Sequence, residues 1–213
     1  MGIVEDFHAA VGANDNEDAR KSNGLRAFQG LPAYPSVIAL AGPAGSGKST
    51  AARHLIERHG YTLVKFAGPL KDMCRAIGLT EAEIEGDQKE GVSRMLQGKS
   101  PRQFMQLLGT EFGRNLIGPD LWTFLWEDRA LRILDQGGRV VVDDLRFANE
   151  EQAARQLGGM VIQLDGRGGI AGGHVSEAYR PRADATVWNG DGADLPGALD
   201  IALEAWSDAR EAA

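Results

Sequence analysis

The run Gly42-Pro43-Ala44-Gly45-Ser46-Gly47-Lys48-Ser49 constrains this chain more than any other stretch. It fits G-x-x-x-x-G-K-[ST] at every fixed position. Its setting also fits: an apolar strand, 37–41, comes before it, and a helix, 49–59, follows and is closed by Gly60. Glycines let successive backbone N–H groups turn inward around phosphate oxygens. The helix that follows points its positive end at the same anion. The loop therefore predicts ATP binding by Gly42, Ala44, Gly45, Ser46, Gly47, Lys48, Ser49 and Thr50, with Lys48 on the β- and γ-phosphates and the Ser49 hydroxyl on Mg2+. It does not name the reaction. The chain has neither the N-K-x-D run of a GTPase nor the L-S-G-G-Q run of an ABC ATPase, and 213 residues suit a small-molecule kinase.

The rest of the chain alternates. Strands are predicted over 61–66, 139–143, 160–164 and 185–188. Helices are predicted over 69–77, after Thr80, over 101–116, from Asp120 to Gln136, from Asn149 to Leu157, and from Asp194 to about residue 209. Thr80 with Glu83 and Ser100 with Gln103 have capping-box spacing, and Pro101 suits a first helical turn. Strands separated by helices predict an α/β fold of the P-loop NTPase kind, three layers α/β/α with a parallel sheet covered on both faces. Residues 1–33 read as a polar N-terminal extension and 34–213 as the catalytic domain, with helical insertions over about 69–136 and a glycine-rich loop after residue 165.

Composition narrows the partners. A formal net charge of -7 lacks the broad positive field that duplex nucleic acid attracts, so no stable nucleic-acid binding is expected. No apolar run approaches the roughly 20 residues that span a bilayer, so no membrane partner is expected either. The start MGIVEDFHAAVG lacks a basic segment followed by a long apolar block, and Cys74 alone builds no disulfide framework. The expected compartment is the cytoplasm.

Other groups join the loop. Val140-Val141-Val142 runs into Asp143-Asp144, and a carboxylate at the end of a strand beside a phosphate loop is where Mg2+ makes its second contact. Adjacent strand residues face opposite sides, so one of the two takes that place, and the sequence alone does not choose. Arg146 follows at the same sheet edge, placed either to stabilise a transferring phosphoryl group or to pair with Glu150. On 101–116, Phe104, Leu107, Leu108 and Phe112 predict a core stripe. Arg102, Gln106, Thr110 and Arg114 form a second stripe, suited to a phosphate and a base edge or to a solvated face. Trp122 and Trp126, four apart, are either core residues or stacking platforms.

With these residues in place, the sequence resembles the bacteriophage deoxynucleoside monophosphate kinases over about residues 36–203. The resemblance runs through the phosphate loop, Phe66-Ala67-Gly68-Pro69-Leu70-Lys71-Asp72, Ser100-Pro101-Arg102-Gln103, the Gln106–Arg114 run with its Gly-Thr-Glu centre, Trp122, and Asp144-Leu145-Arg146-Phe147-Ala148-Asn149-Glu150. It continues through His174-Val175-Ser176-Glu177 and the stretch from Ala183 to Asn189. The resemblance implies an NMP-kinase-like fold, ATP as donor, Mg2+ as cofactor and a dNMP as acceptor. It puts the metal-side carboxylate at Asp144, with Lys48 and Arg146 beside it in catalysis. It makes Lys71, Arg102, Arg114 and Arg146 the anion-binding set and Gln106 and Trp122 the base-side candidates. It reads 165–182 as a lid with Arg167, Arg180 and Arg182 as clamps. His174 has no Cys or His at ligand spacing and reads as structural. A phage-encoded chain would work in the host cytoplasm. The oligomeric state stays open, with a homodimer among the options.

Animal-type phosphomevalonate kinases share part of this skeleton, and the Gln106–Arg114 run is what separates them. The competing readings are therefore a kinase of another phosphorylated small molecule, a kinase of a modified base in DNA, and an ATP-dependent binding switch without transfer.

Overall fold

The computed structural model describes residues 34–168 and 179–212. The extension 1–33 and the part of the expected lid that holds His174 lie outside the described residues. Strand β1 (Val37–Ala41) has no polar side chain and is buried throughout. Its residues alternate between two cores, as the strand period requires. Ile38 and Leu40 pack with Ala51, Leu55, Leu199 and Leu203, from helices α1 (Lys48–His59) and α7 (Leu195–Glu211). Val37, Ala39 and Ala41 pack with Trp126, Ala130, Ala153 and Ala154, from α5 (Leu121–Leu134) and α6 (Ala148–Gln156).

The sheet that divides these cores has five parallel strands in the order β2-β3-β1-β4-β5, with β2 at Tyr61–Leu63, β3 at Arg139–Val142, β4 at Met160–Asp165 and β5 at Ala185–Trp188. Ala39 stands opposite Val142. The loop after β1 and the two aspartates after β3 therefore leave the sheet side by side at its carboxyl edge, where open α/β sheets bind ligands. The three-layer fold expected from the alternation is the one observed.

A satellite core of Leu70, Cys74, Leu79, Ile84, Leu96 and Trp122 lies under α2 (Gly68–Ala76), α3 (Glu81–Ile84), a 3₁₀ turn (Asp87–Glu90) and α4 (Pro101–Gln106). Both predicted capping boxes form: Glu83 N donates to Thr80 Oγ1 at 3.4 Å, and Gln103 N to Ser100 Oγ at 3.2 Å.

Three expectations are corrected. β2 ends at Leu63 rather than Phe66, because the Phe66 and Ala67 amides turn away from the ladder to the Asp144 carboxylate. Helix α6 begins at Ala148, before the expected Asn149 cap. Glu150 Oε2 reaches back to accept from the Arg146 and Phe147 amides, while Asn149 Nδ2 donates to Asp120 Oδ1. The expected helix 101–116 is α-helical only to Gln106 and is wound as a π-helix over Leu107–Ile117. That winding takes more residues per turn. The inward positions become Phe104, Met105, Leu108, Gly109 and Gly113, and the predicted core residues Leu107 and Phe112 are left 42% and 41% exposed. Gly113 is required there: a Cβ would stand 2.5 Å from Trp122 Cε2.

Candidate active site

The phosphate loop is held by its glycines and by its neighbours. Gly42, Gly45 and Gly47 have φ of 140°, 79° and 101°, in the region that L side chains avoid. Gly47 closes the loop at the start of α1, so the amide-rich end of that helix faces the loop's mouth. Lys48 Nζ folds back to donate to Gly42 O at 2.7 Å and Pro43 O at 2.8 Å. Ser46 is fully buried, and its hydroxyl has no hydrogen-bond partner. Asn189, buried at the end of β5, donates through Nδ2 to Ser46 O at 2.7 Å. Gly45, Ser49 and Thr50 are exposed at the rim. Arg167 comes to the loop as well: its Nη2 lies 3.2 Å from where a Gly47 Cβ would stand.

The two aspartates separate by function. Asp143 is 6% exposed, and its Oδ2 accepts from Ser49 Oγ at 3.4 Å. Its Oδ1 is buried without a hydrogen bond, with Lys65 Nζ 3.4 Å away. Asp144 faces the other way and accepts from Phe66 N at 2.9 Å and Ala67 N at 3.0 Å. Burial raises the Asp144 carboxyl above the usual carboxylate range, with the Asp143 charge adding, and the two amides only partly offset this. The carboxylate beside the Ser49 hydroxyl is thus Asp143. The expectation of Asp144 in that place is corrected, because both of its oxygens are bonded to the β2–α2 backbone. A buried carboxylate with one oxygen on a serine hydroxyl and the other without a hydrogen bond is a donor set that suits Mg2+.

Beyond Asp143 lies a basic cluster. Lys71 Nζ donates to Glu85 Oε1 at 2.7 Å, and Arg102 pairs with Glu90. Lys65, Lys71 and Glu85 line a depression of about 390 Å3 with Arg75 and Arg129. Partial burial works against the ionised form of Glu85, but the Lys71 hydrogen bond and the Lys71, Lys65 and Lys89 charges overcome it and hold the carboxyl below its ordinary range. Lys89 is pushed down, by burial first and then by Lys71, Arg102 and Lys65. Four cations from separate elements therefore share one field. Lys65 and Lys89 were not picked out from the sequence; they come from a strand end and a 3₁₀ turn, and no spacing links them.

Arg114 is brought to the sheet edge. Its Nη2 donates to Glu150 Oε1 at 2.8 Å, and its guanidinium lies 3.9 Å above the Phe147 ring. Glu150 is 3% exposed, and burial, with the Asp144 charge, pushes its carboxyl up to about 7. Arg146 is an exposed residue whose backbone amide donates to Glu150. Gln106 is exposed on the last turn of α4. Trp122 is 4% exposed, and its Nε1 donates to Gly109 O at 2.8 Å, so the ring belongs to the satellite core and is corrected from a base-side platform. Arg180 and Arg182 line the outer face of α6, where Arg155 donates to Arg182 O. That contact is seven residues, or roughly 10 Å, down the helix from Ala148. Arg182 is not brought to the phosphate loop.

A sequence model of the family described as AAA domain (AAA_18) matches residues 38–167. A protein of Acanthamoeba polyphaga mimivirus, named as a deoxynucleotide monophosphate kinase, is 36% identical over 148 residues, covering 63% of this chain and 76% of its own. The deoxynucleoside-5'-monophosphate kinase of Escherichia phage T5 is 37% identical over 57 residues, 27% of this chain and 22% of that one. Among solved structures, shikimate kinase from Acinetobacter baumannii in complex with shikimate aligns with a TM-score of 0.43 at 18% identity, over 83% of this chain and 96% of that one. A gluconokinase from Sinorhizobium meliloti aligns with a TM-score of 0.39 at 16% identity, over 83% and 93%.

Proposed function

The chain belongs to the deoxynucleoside monophosphate kinase family of P-loop phosphotransferases, and from that premise we propose how its residues move the γ-phosphoryl group of ATP to a dNMP, giving ADP and a dNDP. The observation that carries this reading is the position of Asp143. It lies between Ser49 Oγ and Lys65 Nζ, each 3.4 Å away, and so joins a phosphate-donor loop to a basic pocket on the far side. A hydrolase or a switch needs the first; a phosphotransferase with an anionic acceptor needs both.

Lys48 leaves the Gly42 and Pro43 carbonyls and takes the β- and γ-phosphates, while the loop amides hold the oxygens around them. Ser49 and Asp143 would hold the Mg2+ that accompanies ATP, and the ion supplies charge neutralisation on the phosphate oxygens. Lys65, Lys71, Lys89 and Arg102 take the acceptor phosphate by releasing Glu85 and Glu90. Arg114 and Arg146, beside the Asp144 turn, stabilise charge on the group in flight, and Arg167 covers the loop. Gln106 remains the base-side candidate. An acceptor phosphate oxygen is already anionic, so in-line attack needs no strong base, and catalysis is positioning and electrostatics.

A coupled ADP-release assay with ATP and Mg2+, run in parallel against each dNMP, each NMP and phosphomevalonate, tests the proposal. Turnover with one or more dNMPs is the expected result. Turnover with phosphomevalonate alone would overturn the acceptor, and ATP binding without any turnover would leave a switch.

A further inference from the structure

Away from the transfer site, helices α1 and α7 carry three metal-ligating side chains that converge on one point. His54 Nε2 and His59 Nε2 each lie 2.7 Å from the same oxygen of Asp200, Oδ1. The three groups offer ligand atoms that all lie within 4.8 Å of one another. The two imidazoles meet edge to face with centroids 5.4 Å apart, and Tyr34 packs against His59 at the same distance. A carboxylate has two oxygens to share between two partners, yet both rings aim at one. The shared oxygen brings all three donor atoms close enough together to be reached by one ion.

The burial is graded as an ion site requires. The His54 and His59 side chains are 18% and 10% exposed, and Asp200 is 36% exposed. The rings are fixed by packing, and water reaches the carboxylate side. Asp200 is the most open of the three and faces both imidazoles. Two imidazoles and one carboxylate suit Zn2+ and Co2+, whereas Mg2+ and Ca2+ prefer oxygen throughout. Three protein ligands with water in the fourth place make a tetrahedral set.

We propose that His54, His59 and Asp200 bind one Zn2+-type ion that ties α1 to α7. Each ring turns its proton to Nδ1 and offers the Nε2 lone pair, and Asp200 Oδ1 moves from hydrogen-bond acceptor to metal ligand. Donor–ion distances of about 2.0–2.2 Å around a tetrahedron need the present 2.7 Å separations to open by roughly 0.6–0.9 Å, a shift that side-chain torsions supply. The ion pins the last turn of α1, the helix whose first turn carries Lys48 and Ser49. His59 is eleven residues, or roughly 16 Å, along the axis from Lys48, so the site is structural and separate from phosphate transfer.

The test uses the full chain without a polyhistidine tag. Co2+ is followed by visible absorption and Zn2+ by calorimetry, in the wild type and in His54→Gln, His59→Gln, Asp200→Asn and Asp143→Asn. The expected result is one ion per chain, tetrahedral cobalt bands, and a thermal midpoint raised by roughly 5–10 °C at a hundredfold excess over Kd. Removing a partner behind a metal ligand costs about 10–100-fold in affinity, so losing a ligand itself should cost at least about tenfold. The three cluster variants should lose the ion while keeping ADP release, and Asp143→Asn should keep it. Absence of tetrahedral bands, or affinity unchanged within twofold in the cluster variants, would overturn the proposal and leave a hydrogen-bonded clamp between two helices.

Discussion

On the donor side of the site, the groups aimed at phosphate are backbone amides and one lysine, held by positive-φ glycines and by Asn189 on the Ser46 carbonyl. On the acceptor side they are lysines and an arginine from four segments, three of them closed onto carboxylates: Lys65 on Asp143, Lys71 on Glu85 and Arg102 on Glu90. Arg114, between the two sides, is closed onto Glu150. The donor cradle is preorganised in its backbone, since positive-φ glycines fix the loop, while Ser46 N is bonded to Pro43 O at 3.1 Å and Lys48 is folded onto the Gly42 and Pro43 carbonyls. The acceptor pocket is held in reserve, since each of these cations must exchange a carboxylate for the incoming phosphate. The difference predicts that donor-side changes act on turnover and acceptor-side changes act on affinity.

The largest effect should separate the adjacent aspartates. Asp143→Asn removes charge beside Ser49 while leaving the amides of Phe66 and Ala67 satisfied. It should lower kcat by about 10²–10³-fold with little change in thermal midpoint, in line with the loss of one preorganised electrostatic group. Asp144→Asn replaces an oxygen that accepts a backbone amide, and should cost about 1–3 kcal/mol of stability with less than a tenfold loss in kcat. ADP release and thermal unfolding on both variants decide the matter, and the reverse pattern would return the metal-side place to Asp144.

That pair also marks where sequence reading stopped. The loop was legible because its chemistry lies within eight consecutive residues between a strand and a helix. The strand–helix alternation was legible because the central strands, buried on both faces, are near-continuous apolar runs, such as Val37–Ala41 and Val140–Val142. Which aspartate faces Ser49 was not legible, because it depends on how β3 sits beside β1. Lys65 and Lys89 are surface lysines until α2, α3 and the 3₁₀ turn fold them around Glu85. The predicted stripe through Leu107 and Phe112 failed because an α-helical period was applied where the chain is π-wound, and the signal lay in the small residues Gly109 and Gly113, which let Trp122 approach. His54, His59 and Asp200 lie 146 and 141 residues apart across α1 and α7, beyond any local pattern.

The acceptor pocket should respond more modestly. Lys71→Ala and Arg102→Ala should each raise KM for the dNMP by about tenfold, the equivalent of ~1.4 kcal/mol, with KM for ATP within about twofold. Glu85→Gln should act in the opposite direction, because it frees Lys71 and removes one negative charge from the field of Lys65 and Lys89. A drop of about two- to threefold in KM is expected, shrinking as salt screens the cluster. Steady-state kinetics over a salt series reads all three. Equal changes in both KM values would mean that the two sides are not separable.

A last test, read on stability rather than turnover, concerns the residue that joins the sides. Glu150 is buried against Arg114 and the turn after Asp144, and its carboxyl is raised from its ordinary value of 4.5 to about 7. The folded chain therefore holds a proton that the unfolded chain has released. The contribution of this group to stability is complete below about pH 4.5, declines as pH rises, and levels off above about pH 7. The shift corresponds to about 3 kcal/mol for this group alone. Glu150→Gln keeps an oxygen for the Arg146 and Phe147 amides but cannot ionise. The midpoint of the variant relative to wild type should therefore rise across the window from about pH 4.5 to 7, as the wild type is burdened with a buried charge that Arg114 only partly neutralises. A difference that stays flat across the window would mean that Arg114 holds Glu150 ionised throughout, making the pair a fixed strut between donor and acceptor sides rather than a proton-dependent one.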